Sequence, residues 1–375
     1  MDDSLINHFG FRVMNDLFEA QHHTGNLAFS GVTLYILMAI LSVGLRNQTL
    51  NQLTDFLGQD FQELLDPDNW PNSLTTAQLT ELRRRTQSIS IWTSIMFHSG
   101  DIEKTFKNIS ELILDMDFNK IDFSVPPEAN RRMNEVVERR TGWMMKNVFD
   151  QPINMDVSSV LINTLYFFGE WADKFSSDYT ELSPFNIDEE EIMVSMMYKE
   201  GEYNYFHDKT YQIEYLYIPF KRQNLYAVII LPEHGLPLKE ILSKPVLSDL
   251  RTPLLSSIPT KVRLELPKFN VLTRLDLAQT LIDHNVSNLF TSGLADMSGI
   301  SAQLKAVDKL IQVVNILVNE RGSNPGSGGV TRLGPAFMGS DIVNFCINRP
   351  FLYQIYSSDI DITLISTIIT NPEMT

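Results

Sequence analysis

Ser159-Val-Leu-Ile-Asn-Thr-Leu-Tyr-Phe-Phe-Gly-Glu-Trp171 is the stretch that decides the reading of this chain. Ser159 to Phe168 is a near-continuous run of apolar, β-branched and aromatic residues, which predicts a strand buried on both faces. Asn163 interrupts it. A carboxamide there costs free energy unless it is hydrogen-bonded. Upstream the patterns are helical. Leu5, Phe9, Val13 and Leu17 recur at helical spacing until Thr24-Gly25-Asn26. Leu34 to Val43 reads as a buried helix, too short to span a bilayer. Leu50–Leu57, Thr76–Arg85, Ile102–Phe118 and Glu128–Val148 carry spaced apolar residues among mixed charge. Downstream, Leu225–Leu231, Val262–Leu266, Leu310–Val318, Phe351–Tyr356 and Ile362–Ile369 read as strands. Helices first and strands later give an α+β architecture. No repeat or Pro/Ser-rich linker divides the chain, so residues 1–375 are expected to form a single domain.

The 375 residues are 43% hydrophobic and 20% charged, as in a soluble protein with a sizeable core, and the formal charge is −16. That surface repels phosphate backbones and anionic lipid, which sets nucleic-acid and membrane partners aside. Cys346 is the only cysteine, so no internal disulfide forms; within Phe345–Ile347 it reads as a small strand residue. The N-terminus carries two acids and no export signal, from which a cytoplasmic location is expected, with export by an unconventional route as the alternative. Sequons at Asn47, Asn108 and Asn285 occur at a frequency that chance explains.

The reactive constellations of common enzymes are missing. There is no Gly-x-Ser-x-Gly elbow, and none of the seven histidines pairs at the His-x-x-x-His spacing of a helical zinc site. Gly322 to Gly329 (Gly-Ser-Asn-Pro-Gly-Ser-Gly-Gly) is glycine-rich and follows a strand. Yet it lacks a following Lys-Ser/Thr, contains Pro325 and opens no helix, so it is no phosphate cradle. No catalytic residue, metal or cofactor is expected. From Gly322 to Asn344 the chain reads as a structureless loop of about 20 residues, a length that is usually functional or disordered.

Segments along nearly the whole chain resemble the serpin family, in that family's order and spacing. Asn26-Leu27-Ala28-Phe29-Ser30-Gly31-Val32-Thr33-Leu34 is similar to its Asn-x-x-Phe-Ser-Pro-x-Ser-Ile segment. Ile162 to Phe167, Gly169-Glu170-Trp171 and Phe175 resemble Asn-Ala-x-Tyr-Phe-x-Gly-x-Trp…Phe. Val194-Ser195-Met196-Met197 with Gly201, Leu266-Pro267-Lys268-Phe269 and Ala295-Asp296-Met297-Ser298-Gly299-Ile300 match three further landmarks. Val318-Asn319-Glu320-Arg321-Gly322 resembles the Val-Asn-Glu-Glu-Gly hinge, and Asn348-Arg349-Pro350-Phe351-Leu352 the strand after the loop.

The resemblance implies helices, three β-sheets and an exposed reactive-centre loop at about 322–344. It implies a monomer that acts on a serine protease. The protease cleaves the loop and becomes trapped as an acyl-enzyme when the freed segment inserts as a strand in the main sheet. Glu320, Gly322, Ser323 and Pro325 form the hinge. Trp171, Asn163, Ser30, Thr33 and Gln312 fall at positions that control whether the sheet parts, and Ser30 and Thr33 are expected partners of Asn163. Gln312 stands where the family usually has a histidine. Pro325 lacks an N–H and Gly326, Gly328 and Gly329 raise the cost of ordering a strand, which opens an alternative. That alternative is a non-inhibitory serpin serving as a binding, carrier or chaperone module.

Counting from Gly322 as the family does puts the reactive bond at Ala336–Phe337, suited to an elastase-like pocket or, shifted by one residue, a chymotrypsin-like one. Arg332 offers a trypsin-like enzyme an alternative cut. Exposed loop tips are the preferred sites of proteolytic nicking. Limited proteolysis with mass mapping is expected to place the first cuts between Val330 and Asn344; first cuts elsewhere, with that span intact, contradict the loop assignment.

Overall fold

The computed structural model describes residues 3–66, 69–187, 190–323 and 342–374. Helices and strands together give a mixed α+β fold, and the chain divides into two compact units. One unit takes residues 33–166 and 274–314, the other residues 2–32, 167–273 and 315–375.

In the first unit the strands lie in the order Asp117–Lys120, Ser90–His98, Ser159–Phe167, Lys309–Asn319. The quoted stretch is indeed a buried strand, with eight of its nine residues buried. Helix Pro126–Arg140 covers this sheet. Two prolines open it, which suits a first turn whose N–H groups have no intrahelical acceptor. Its buried residues Ala129, Met133, Val136 and Val137 follow helical spacing and join one core cluster with Ile95, Phe97, Val160, Ile162, Ile311 and Val313. Helix Gly31–Gly44 is buried along its whole length, and its Thr33 and Ser42 hydroxyls are hydrogen-bonded there.

The second unit is built on a wider sheet. Its order is Leu27–Phe29, Ile362–Ile369, Phe351–Ser357, Leu225–Pro232, Ile213–Pro219, Glu190–Asp208, Ile258–Pro267 and Val343–Cys346, with Thr180–Ile187 added alongside Glu190–Asp208. Glu190–Asp208 is 19 residues long and changes neighbours along its length. Its middle pairs with Ile258–Pro267 and its end with Ile213–Pro219, so two of the three expected sheets run together through one strand. Val343–Cys346 pairs in parallel with Ile258–Pro267, an arrangement that two strands far apart in sequence can adopt and a tight hairpin cannot.

Two expected helices are shorter than their patterns. Ile102–Phe118 is a helix only over Lys104–Leu114, because Asp115 takes a left-handed conformation and the chain leaves as strand Asp117–Lys120. Glu128–Val148 stops being helical at Arg140, followed by Gly142 and Trp143 at φ 59° and 66°. Strand Ser90–His98 in the helical half went unread. Among the described residues no helix is long and apolar enough to cross a membrane.

Met133 is fully buried in the helix-on-sheet core. Met133→Ala is expected to cost about 2–5 kcal/mol, measured by urea unfolding; a loss within error would mean the helix does not depend on that cluster.

Candidate functional site

Asn163 finds its partners inside the first unit. Its Oδ1 accepts from the Thr33 hydroxyl at 2.7 Å and from Gln312 Nε2 at 3.3 Å, and its Nδ2 donates to Ser94 Oγ at 3.0 Å. Gln312 Nε2 also reaches Thr33 Oγ1 at 3.2 Å. Three strands and one helix thus meet at a buried polar cluster, and Thr93 and Thr164 extend it with a hydroxyl pair at 2.8 Å. Thr33, expected as a partner of Asn163, is hydrogen-bonded to it, and Gln312 reaches both. Ser94 was not singled out; its position opposite a buried amide is visible only once the strands are paired. Ser30, expected as another partner, donates its hydroxyl to the Leu364 carbonyl in the second unit at 2.7 Å.

The second site surrounds the expected hinge. Strand Lys309–Asn319 ends in a reversal at Glu320–Arg321, after which Gly322–Ser323 turns back as a two-residue strand. It pairs antiparallel on both sides, with Val318–Asn319 and with Gly169–Glu170. Gly322 is obligatory there: its φ is 139°, and a Cβ would lie 1.9 Å from the Gly169 carbonyl oxygen. Gly169 is crowded too, against the rings of Phe167 and Phe220.

Trp171 is the anchor. It is buried, and its ring stacks on Phe220 with centroids 4.7 Å apart. Its indole N–H donates to the Asn319 carbonyl at 2.9 Å and its backbone N–H to the Arg321 carbonyl at 3.1 Å. The Phe175 N–H donates to the Glu320 carbonyl at 2.9 Å, so three successive carbonyls before Gly322 are all held by one short segment. The Glu320 carboxylate accepts from Lys268 Nζ at 3.0 Å and from Thr180 Oγ1 at 2.9 Å. Burial works to raise its pKa, but its own backbone N–H, Lys268 and Thr180 outweigh that and hold it below the usual carboxylate range. Lys268 belongs to the Leu-Pro-Lys-Phe landmark, in which nothing local marks the lysine for this contact.

Pro325, Arg332, Ala336 and Phe337 lie outside the described residues, as does the side chain of Ser323. Cys346 is a half-buried strand residue. Burial and its hydrogen bond to the Glu265 carboxylate at 3.0 Å push its thiol up to about 12. Among the described residues no group of three His, Cys, Asp or Glu side chains is placed to hold a metal ion. On helix Leu74–Gln87, Arg84 and Arg85 both pair with Glu81, whose carboxyl is lowered to about 2 chiefly by those hydrogen bonds.

Gly322→Ala is expected to cost about 1–3 kcal/mol and to free the short strand, because the clash is with backbone. Amide exchange at residues 169–170 and 322–323 is the measurement; unchanged protection there would show that the pairing survives a side chain.

A family model described as serpin (serine protease inhibitor) matches residues 4–372. Mouse protein Z-dependent protease inhibitor is 26% identical over 371 residues, covering 97% of this chain and 80% of that protein. The crystal structure of the mouse protein superposes with a TM-score of 0.86 at 23% identity, over 99% of this chain and 97% of that one. Human thyroxine-binding globulin, solved with thyroxine bound, also gives 0.86, at 20% identity over 99% and 98% of the two chains.

Proposed function

Because the chain belongs to the serpin family, we propose that it is a suicide inhibitor of a serine protease with an elastase- or chymotrypsin-like pocket. It works as one functional unit over 1–375, without an active site of its own. The protease serine Oγ attacks the Ala336 carbonyl carbon, the Ala336–Phe337 bond breaks, and Phe337 leaves as a new amino terminus. The Ala336 acyl group stays on the serine as an ester. The released segment then adds to the sheet by strand augmentation.

The observation that carries this reading is the seeded ladder at Gly322–Ser323. Two residues already occupy strand positions between Val318–Asn319 and Gly169–Glu170, so the next residues extend an existing pairing instead of nucleating one. Insertion between Ser159–Phe167 and Lys309–Asn319 must break the Gln312–Asn163 hydrogen bond. At 3.3 Å it is a long one between neutral groups, worth about 1 kcal/mol net.

A non-inhibitory carrier is the second reading. It is favoured by the equal structural likeness to thyroxine-binding globulin and by Pro325, which removes a ladder hydrogen bond from any inserted strand.

Incubation with elastase, chymotrypsin and trypsin separates the two readings. Inhibition predicts an SDS-stable adduct, a released C-terminal fragment beginning at Phe337 or Met338, and a cleaved form that unfolds well above the intact one. Cleavage with no adduct and an unchanged Tm points to the carrier. A fragment beginning at Leu333 together with full trypsin inhibition moves the reactive bond to Arg332.

A further inference from the structure

The segment that holds the three carbonyls before Gly322 is itself held from two sides, by backbone pairing of residues 170–172 with Pro219–Lys221 and by the cation of Lys199. Lys199 lies on strand Glu190–Asp208, and its side chain is 9% exposed. Its ammonium has three N–H groups and meets three acceptors: Asp173 Oδ2 at 2.7 Å, the Asp173 carbonyl at 2.6 Å and the Lys174 carbonyl at 3.1 Å. The Phe175 ring closes its remaining side, with the nitrogen 5.6 Å from the centroid. Burial lowers its pKa against the opposing pull of Asp173, but the contacts describe a charged, fully satisfied ammonium.

The neighbouring lysines are bound more loosely. Lys221 is 75% exposed and reaches Glu170 at 3.4 Å, and Lys174 reaches the same carboxylate at 3.6 Å. Neither touches the carbonyls of the turn, whereas Lys199 bonds those of residues 173 and 174, just beyond the Ala172 N–H that donates to the Pro219 carbonyl at 3.0 Å.

We propose that Lys199 is a positioning residue for the hinge. Its ammonium pins the Asp173–Lys174 turn, which sets Trp171 and Phe175 against the carbonyls of residues 319–321 and so fixes where Gly322 enters the sheet. The effect on protease trapping rests on the inhibitory reading; the effect on hinge geometry does not.

Lys199→Met keeps the bulk of the side chain and removes the charge and all three donors. Hydrogen exchange at the amides of Trp171, Phe175 and Gly322 is expected to accelerate by about tenfold or more, as charge-assisted bonds of this kind predict. Lys199→Arg restores a cation and should recover most of the protection. Lys209→Met, at an exposed turn, removes a charge elsewhere and should leave these amides unchanged. If a protease forms an adduct with the parent chain, Lys199→Met should also raise the fraction cleaved without trapping, and Lys199→Arg should restore it.

If Lys199→Met does not fold, Asp173→Asn, which weakens the same clamp from the exposed side, carries the exchange measurement. Unchanged exchange at Trp171 and Phe175 in the folded variant overturns the proposal, whatever happens to Tm. Absence of any adduct with the parent chain, alongside accelerated exchange in Lys199→Met, would remove the inhibitory reading and leave the clamp standing.

Discussion

The carboxamide of Asn163 ties three strands and one helix of the first unit to a single arrangement. Ser94, Asn163 and Gln312 lie on three different strands, and their hydrogen bonds form in one register only. Slipping a strand by one residue turns the polar side chain to the opposite face and strands it among hydrocarbon. Apolar packing alone would tolerate such slips, because the residues around these three are interchangeable in kind. The same cluster sets the rotation of helix Gly31–Gly44. That helix is buried on every side, so amphipathicity gives it no preferred face, and the Thr33 hydroxyl supplies the preference.

At the far end of Lys309–Asn319 the problem is reversed. There the chain must leave a ladder and turn back, and a reversal exposes carbonyls that no strand partner can satisfy. Trp171 and Phe175 take up those of residues 319–321, while Lys268 and Thr180 neutralise and bind the Glu320 side chain. The result is a tight turn without a large apolar contribution of its own. Its order comes from hydrogen bonds donated by residues distant in sequence, of which Trp171 and Phe175 are fixed by ring packing and Lys268 by its ion pair with Glu320.

Much of this was legible in the sequence because it follows from local chemistry. The buried strand Ser159–Phe167 announces itself by composition, and Asn163 announces that it needs partners. Thr33 and Gln312 could be named through a resemblance spread over many short segments. What could not be read depends on positions brought together only by pairing. Ser94 is an ordinary serine until strand Ser90–His98 lies beside Asn163, and that strand was itself missed beside strong helical patterns. Lys199 carries no local signal either, because two of its three acceptors are backbone carbonyls, which every sequence contains, and the third, Asp173, is distant in sequence. The overlong helix readings at Ile102–Phe118 and Glu128–Val148 failed for the converse reason. Apolar spacing continued past Asp115 and past Gly142, but left-handed backbone ended the helix.

The state of Cys346 bears on how this protein can be handled. With its thiol pushed up to about 12 and hydrogen-bonded to Glu265, almost none of it is thiolate at neutral pH. Maleimides, iodoacetamides and mild oxidants all react through the thiolate. Cys346 therefore reacts slowly with them at neutral pH. A cysteine introduced on the open surface, with an ordinary thiol, will take up a fluorophore or spin label well ahead of Cys346 at neutral pH.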